Sequence, residues 1–305
     1  MSSQESKTEE MQWLNFSPFR EEDLQYLQEH FRFHHLDYDD ICSESYLSKI
    51  DTYKHYVFLV FHIPVYNTFS QKVAREPLCI FLADKQLVTL SRASLSAIDD
   101  LFSRVDRNAR FRASLFSKGP AFVMYQVLMD AFRDSRNIAS DLSMEVSRLE
   151  EAIEHHYDKS ITVSLAHVRR NVLFLRHVIE PQRSIISILQ ATKRTFIPEE
   201  ITVYFDNLRD DLDTIAVTTD NLELLLDGLF NVNETLLTHR TNEVITLLTI
   251  ITASLMIPTF IAGFYGMNVT WLPFAHNVQA VTILFIGSFL IMLLVMYWII
   301  KRPKS

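Results

Sequence analysis

A chain of 305 residues, 48% hydrophobic, with 29 Lys and Arg against 37 Asp and Glu, is long enough for two domains and carries a net charge of −8. That balance argues against a nucleic-acid binder, which needs clustered Lys and Arg. Two cysteines, Cys42 and Cys79, without metal-ligand spacing exclude a disulfide framework and read as reduced thiols.

The segment Met1 to Glu10 is polar and acidic and lacks the apolar core of a signal peptide, so residues 1–10 are expected to be a disordered tail. Trp13 to Phe16 is a short alternating piece, and after Ser17-Pro18 the spacing of Leu24, Leu27 and Phe31 predicts a helix. Asp37 to Ser48 is acidic and turn-like. Tyr53 to Ile63 is β-branched and aromatic and predicts a buried strand. Leu78–Leu82 and Gln86–Ser91 predict a hairpin around Ala83-Asp84-Lys85. Ser96 to Val105 returns to helical spacing. Residues 11–118 are thus expected to form a small mixed α+β domain.

From Gly119-Pro120 onward the strand pattern stops. Val123, Val127, Ala131, Phe132, Ile138, Leu142, Val146, Leu149 and Ile153 place one apolar stripe on a helix over Phe122–Tyr157. Ser164 to Thr192 repeats it, with Arg169, Arg170, Arg176 and Arg183 on the wet face, so the two helices are expected to be an antiparallel pair. Ile197-Pro198-Glu199-Glu200 opens a further helix, with proline and two acids in its first turn. Nothing but Gly228 and Pro258 interrupts it for roughly 60 residues, a length on the order of 90 Å. A helix of that length needs partners, and copies of itself are the natural ones. Residues 119–243 are therefore read as a helical region and stalk. The stalk is acidic, with Asp206, Asp210, Asp211, Asp213, Asp220, Glu223 and Asp227 against Arg209. These acids either bind cations or pair with the Arg-rich helix.

Residues 244–305 are different in kind. From Val244 to Ile300 there is no Lys, Arg, Asp or Glu, and His276 stands alone as an ionisable group of the usual kind. A membrane crossing takes about 20 apolar residues, so this run predicts a helical hairpin with spans near 246–264 and 278–300. Arg240 precedes the first span, and Lys301, Arg302 and Lys304 follow the second. Val269 to Asn277 has no positive charge, so both termini are expected in the cytoplasm.

Along the first span Asn242, Ile245, Leu248 or Thr249, Thr252, Met256, Thr259 and Gly263 recur at about 3.5-residue spacing, the period of helices around a common axis. Such a stripe lines a pore, or it packs helix on helix in the bilayer, where Thr and Gly are common. It carries no acid. The first span ends on Tyr265-Gly266-Met267-Asn268. Gly and Asn there also suit an ordinary helix C-cap.

Gly266-Met267-Asn268 after Tyr265, with Thr241-Asn242-Glu243-Val244 opening the span and Thr259-Phe260-Ile261-Ala262-Gly263 closing it, resembles the signature of the CorA family of magnesium channels. The resemblance runs from about Trp13 to Lys301. It implies a homopentameric channel in which the stalk helices surround an axis, the paired helices pack outside them, and the stripe of the first span faces the pore. It implies that Gly266, Met267 and Asn268 form the selectivity filter, with Asn268 meeting the hydrated metal. The function it implies is potential-driven uptake of Mg²⁺ through the plasma (inner) membrane, closed when cytosolic Mg²⁺ bridges acids of neighbouring subunits, here Asp206 and Asp210. Mg²⁺ would be the transported and regulatory ion, with no permanently bound cofactor. The partners would be other copies and lipid, with no nucleic acid and no small-molecule substrate beyond metal ions.

Two departures stand out. Where the family commonly has Met-Pro-Glu after the signature, this chain has Leu272-Pro273-Phe274, and no acid lies in Val269 to Asn277. Where the family pattern places a sensing carboxylate, this chain has Asn207. A relative that moves Zn²⁺, Co²⁺ or Ni²⁺ is one alternative, although softer metals favour His or Cys and the stripe has neither. A membrane-anchored relative that no longer conducts is the other. No nucleophile–base pair and no phosphate-binding loop suggests an enzyme.

Overall fold

The structure, a computed structural model, describes residues 4–8, 11–43, 47–155, 159–194, 196–267, 273 and 277–301. The chain divides into two compact units, Met1–Phe230 and Asn231–Ser305.

The first unit is built on a six-stranded sheet in the order β1-β2-β6-β5-β4-β3, from β1 (Gln4–Lys7), β2 (Gln12–Phe16), β3 (Lys49–Thr52), β4 (Tyr56–Asn67), β5 (Lys72–Ala83) and β6 (Gln86–Ser91). β2 and β6 pair parallel and the other neighbours antiparallel. Successive side chains of a strand point to opposite faces, and here both faces are covered. Val57, Leu59, Phe61, Leu78, Ile80 and Leu87 pack towards the long helices. Tyr56, Phe58, Val60, Phe81, Val88 and Leu90 pack under α1 (Glu21–His30) and α2 (His35–Cys42). Burial on both sides is why Tyr56 to Phe61 reads as an unbroken apolar run rather than an alternating one.

Three features depart from the sequence reading. Residues 4–7 are a strand paired with β2, not part of a disordered tail. The acidic stretch after His34 is the helix α2, not a turn; the His34 ring accepts from the Leu36 amide at 3.3 Å, and Asp37 sits in the first turn, where the helix dipole favours an acid. The strands β4 and β5 extend through Pro64 and Pro77. Proline lacks a ladder donor and belongs at sheet edges. Both prolines lie where the hairpin runs past its neighbours, since β3 pairing ends at Val60 and β6 pairing at Leu78. The projecting hairpin is held by Asn171, whose Nδ2 donates to the Gln71 carbonyl at 2.9 Å and whose Oδ1 accepts from the Val73 amide at 3.2 Å.

The helices α3 (Ser96–Arg107) and α4 (Ala109–Phe116) follow the sheet. Gly119, at φ +85°, makes the turn into α5 (Pro120–His155), whose first residue is the proline that suits a helix start. α6 (Lys159–Ala191) and α7 (Glu199–Tyr265) complete this layer. Val168, Val172, Leu175 and Ile179 of α6 and Phe205, Leu208, Leu212 and Ile215 of α7 are buried in one core with the sheet. The expected antiparallel pair is α5 with α6, and α6 begins earlier than its apolar spacing suggested.

α7 has 67 residues, a contour of about 100 Å, and continues through Pro258. The second unit holds its last part and α8 (Val278–Lys301). α7 is long and apolar enough to cross a membrane, and Val278–Leu294 is a second apolar segment. In α7, Leu248 is 62% and Met256 71% exposed on the single chain. Side chains of that type are stable in such positions only against lipid or other protein.

Candidate ion path and acidic stalk

On the second unit, Asn242, Ile245, Leu248, Thr252, Met256, Thr259 and Gly263 are all exposed on α7. Leu248, Thr249, Thr252, Met256 and Thr259 line one shallow recess of that helix. The threonines carry a feature that spacing does not show. Thr252 donates its hydroxyl hydrogen to the Leu248 carbonyl and Thr259 to the Leu255 carbonyl, each at 2.8 Å. Thr246 and Thr249 do the same one turn back. With the hydrogen committed to the helix, each oxygen presents lone pairs outward. The threonine oxygens on this face are then acceptors, and the Asn242 side chain adds an amide with both an acceptor and donors.

The helix ends in the signature. The Gly266 amide donates to the Ala262 carbonyl at 2.9 Å and the Met267 amide to the Phe264 carbonyl at 3.4 Å. A Cβ on Gly266 would stand 3.1 Å from the Ala262 oxygen and 3.5 Å from that of Gly263. The glycine therefore permits the tight closing turn. The Tyr265 hydroxyl donates to the Pro273 carbonyl at 3.1 Å and so ties the helix end to the connection beyond it. Asn277 starts α8, its Oδ1 accepting from the Ala280 amide at 3.2 Å. Asn268 lies outside the described residues, as does all of 269–276 except Pro273.

In the first unit the acids of α7 separate into two groups. Asp227 pairs with Arg169 at 2.8 Å, Asp220 with Arg176 at 2.9 Å, and Asp213 with Arg183 at 2.5 Å; Glu223 also takes Arg176. Asp211 pairs with Arg136 of α5 at 3.1 Å. The Arg-rich face of α6 thus neutralises much of the acidic stalk. Asp206 accepts from Gln190 at 2.8 Å and pairs with Arg209 at 3.2 Å, both on exposed surface. Asp210 is exposed, and among the described residues its carboxylate pairs with no base. Asn207 hydrogen-bonds Tyr125 of α5.

Two features escaped the sequence reading. Val203, Asp210, Val217 and Leu224 recur every seven residues and are all exposed, so α7 carries an uncovered stripe within the first unit as well. The signal was the heptad interval itself. Asp37, Asp40 and Asp51 also bring carboxylate oxygens within 4.8 Å of one another. The Lys49 ammonium already lies between Asp40 and Asp51, 2.6 Å from the latter, and Asp37 accepts from Tyr53 at 2.8 Å and Tyr56 at 2.6 Å. Burial raises the Asp37 carboxyl above its usual range, and burial with the bond to Asp37 pushes Tyr53 up to about 12. This cluster is internally compensated.

A family model described as CorA-like Mg²⁺ transporter protein matches residues 8–302. The cobalt/magnesium transport protein CorA of Thermotoga maritima is 28% identical over 263 residues, 86% of this chain and 74% of that one. The complete structure of the CorA magnesium transporter from Methanocaldococcus jannaschii superposes with a TM-score of 0.82 at 18% identity, covering 98% of this chain and 93% of that one. The ZntB cytoplasmic domain from Vibrio parahaemolyticus superposes with a TM-score of 0.62 at 11% identity, over 77% of this chain and 90% of that one. At these identities the two structures speak to the fold alone.

Proposed function

The chain belongs to the CorA-like Mg²⁺ transporter family, and on that premise we propose that it is a divalent-cation channel that takes up Mg²⁺ down the membrane potential. The observation that carries this reading is the α7 stripe from Asn242 to Gly263, uncovered like the helix around it, where apolar side chains alternate with threonine hydroxyls bonded back to the helix, leading to the turn at Gly266 two residues before Asn268. In a homopentamer, five such faces would surround one axis, with spans at 246–264 and 278–300, both termini cytoplasmic and the membrane part at 244–305. Helices left uncovered over so much apolar surface support assembly with other copies and lipid.

Mg²⁺ holds its waters tightly and sheds them reluctantly. A ring of Asn268 amides and threonine oxygens offers neutral acceptors that bind the hydrated ion through its waters. A carboxylate ring would hold it harder and slow its exit. Ile245, Leu248 and Met256 would close the path by excluding water. Asp206 and Asp210 would bind cytosolic Mg²⁺ and couple its concentration to closure. A doubly charged ion gains about 4.6 kcal/mol per 100 mV of inside-negative potential, so the ion gradient and voltage suffice as driving force.

Among the softer metals the ZntB-like fold brings Zn²⁺ to mind, but no His or Cys lies on the α7 face from Asn242 to Met267. That chemistry favours Mg²⁺. The test is Mg²⁺ flux into liposomes under a fixed inside-negative potential, with Zn²⁺ and Co²⁺ as alternatives. Asn268→Ala should lower Mg²⁺ flux at least about tenfold while leaving the oligomer intact. Near-normal flux through Asn268→Ala would move selection to the threonine rings, and voltage-independent flux in the parent would end the channel reading.

A further inference from the structure

Between Ser103 and Lys118 the chain carries Arg104, Arg107, Arg110, Arg112 and Lys118 against a single acid, Asp106, in a protein whose net charge is −8. The structure places Arg104 and Arg107 at the end of α3 and Arg110 and Arg112 on α4 around the corner between them, while Lys118 lies beyond α4, over the Phe122 ring at 4.2 Å. Asn108 fixes the corner: it ends α3 and caps α4, its Oδ1 accepting from the Arg110 and Phe111 amides at 3.1 Å each. The Arg104 guanidinium lies 4.8 Å from the centre of the Phe111 ring, and Arg112 Nη1 donates to the Asp106 carbonyl at 3.2 Å. Arg104, Arg107, Arg110 and Lys118 are exposed.

Among the described residues none of these five cations forms an ion pair, whereas on α6 Arg169, Arg176 and Arg183 each face an acid of α7. The corner opens on a cleft of about 590 Å³, lined by Arg104, Arg107, Asn108 and Phe111, with Arg133 of α5 across it. Of the two acids on the cleft, Asp130 is taken by Arg133 at 3.1 Å and by Gln126 at 3.2 Å, and Asp100 is exposed on α3. The cleft therefore offers the Arg104 and Arg107 guanidinium groups one helical turn apart, and its three arginines outnumber its two acids by one.

We propose that this corner binds a soluble ligand with two or more linked phosphoryl groups, an inorganic or nucleoside polyphosphate. Guanidinium groups match tetrahedral oxyanions with paired, charge-assisted hydrogen bonds. Arg104 and Arg107, three positions apart on one helix, face the same side and can bracket adjacent anionic groups. The volume is that of a small-molecule site rather than of a flat protein contact. The site is independent of the transport reading: it lies on the α/β unit and shares no residue with the ion path.

The test is calorimetric titration of the full chain in detergent, free of divalent metal, with sodium tripolyphosphate. Saturable binding at about one ligand per chain is expected. Arg104→Gln with Arg107→Gln should weaken it at least about tenfold with an unchanged melting profile. Arg107→Lys, which keeps the charge but loses the fork, should weaken it several-fold and stands in if the double variant folds poorly. Lys72→Gln with Lys85→Gln, which removes equal charge from exposed positions elsewhere, should leave affinity within about twofold. No binding by the parent, binding to anionic lipid vesicles but not to tripolyphosphate, or equal loss in the corner and control variants would each overturn the site.

Discussion

Asp206 and Asp210 sit one turn apart on α7 but in different surroundings. Asp206 shares its charge with Arg209 and Gln190, while Asp210 is exposed with no base beside it among the described residues. An acid without a base is the better cation ligand, and one already paired has to be drawn away from its partner. If the two sense cytosolic Mg²⁺, Asp206→Ala with Asp210→Ala should keep flux active at millimolar internal Mg²⁺ that silences the parent, and Asp210→Ala alone should give most of that change. Unchanged inhibition in the double variant would return both to a purely structural role. Asp37 tests a different property, pH dependence. Burial raises its carboxyl although Tyr53 and Tyr56 donate to it. In that case the folded state holds the proton more tightly than the unfolded chain does, so stability falls as pH rises from the ordinary carboxylate value through the raised one. Asp37→Asn keeps an acceptor for one tyrosine and cannot ionise. Its melting temperature should therefore vary less with pH across that window than the parent's, and parallel curves would show that Asp37 does not titrate there.

Two kinds of contact attach α7 to the helices beside it, and they differ in weight. Phe205 is fully buried in the shared core, whereas Arg176 is about half exposed as it bridges to Asp220 and Glu223. Removing a buried phenyl ring costs the transfer energy and leaves a cavity, about 3–5 kcal/mol. An exposed ion pair is screened by water and contributes about 0–1 kcal/mol. Thermal unfolding in detergent should show Phe205→Ala strongly destabilised and Arg176→Gln nearly unchanged. The reverse order would mean that the α6–α7 seam is held by charge. The charge pairs still have a consequence for the site: with Asp211, Asp213, Asp220, Glu223 and Asp227 engaged, the acids left for metal are few.

At the scale of the whole molecule, what stands out is how much of α7 a single chain leaves uncovered. Val203, Val217 and Leu224 in the first unit, and Ile245, Leu248 and Met256 in the second, are exposed at coiled-coil or near-coiled-coil intervals. A single helix in water or lipid gains nothing from that period. Several copies around an axis bury it on every turn. The detergent-solubilised protein should therefore run as a symmetric oligomer with the mass of five chains by light scattering. A monodisperse monomer would remove the common axis and with it the pore.

The sequence by itself determined the features that depend on local period and on the absence of charge. The apolar segments of α7 and α8, the start of α7 at Glu199 after Pro198 and the end of α7 at Tyr265 before Gly266 were legible, because helix spacing and helix ends are written in residues three or four apart. Asn268 was singled out by its resemblance to the family signature, and it lies outside the described residues. Only the tertiary structure decided which carboxylates are free. Asp213 and Asp210 look alike in the sequence, yet Arg183, 30 residues from Asp213, takes one and leaves the other. The tail strand β1, the helix at Asp37 and the proline-bearing ends of β4 and β5 were hidden for another reason: their partners are near in the chain, Asn15 for Gln4 and Arg75 for Pro64, but polar, acidic or proline-bearing composition masks the local pattern. Edge position and charge compensation are set by what the fold places beside a residue, not by its neighbours in sequence.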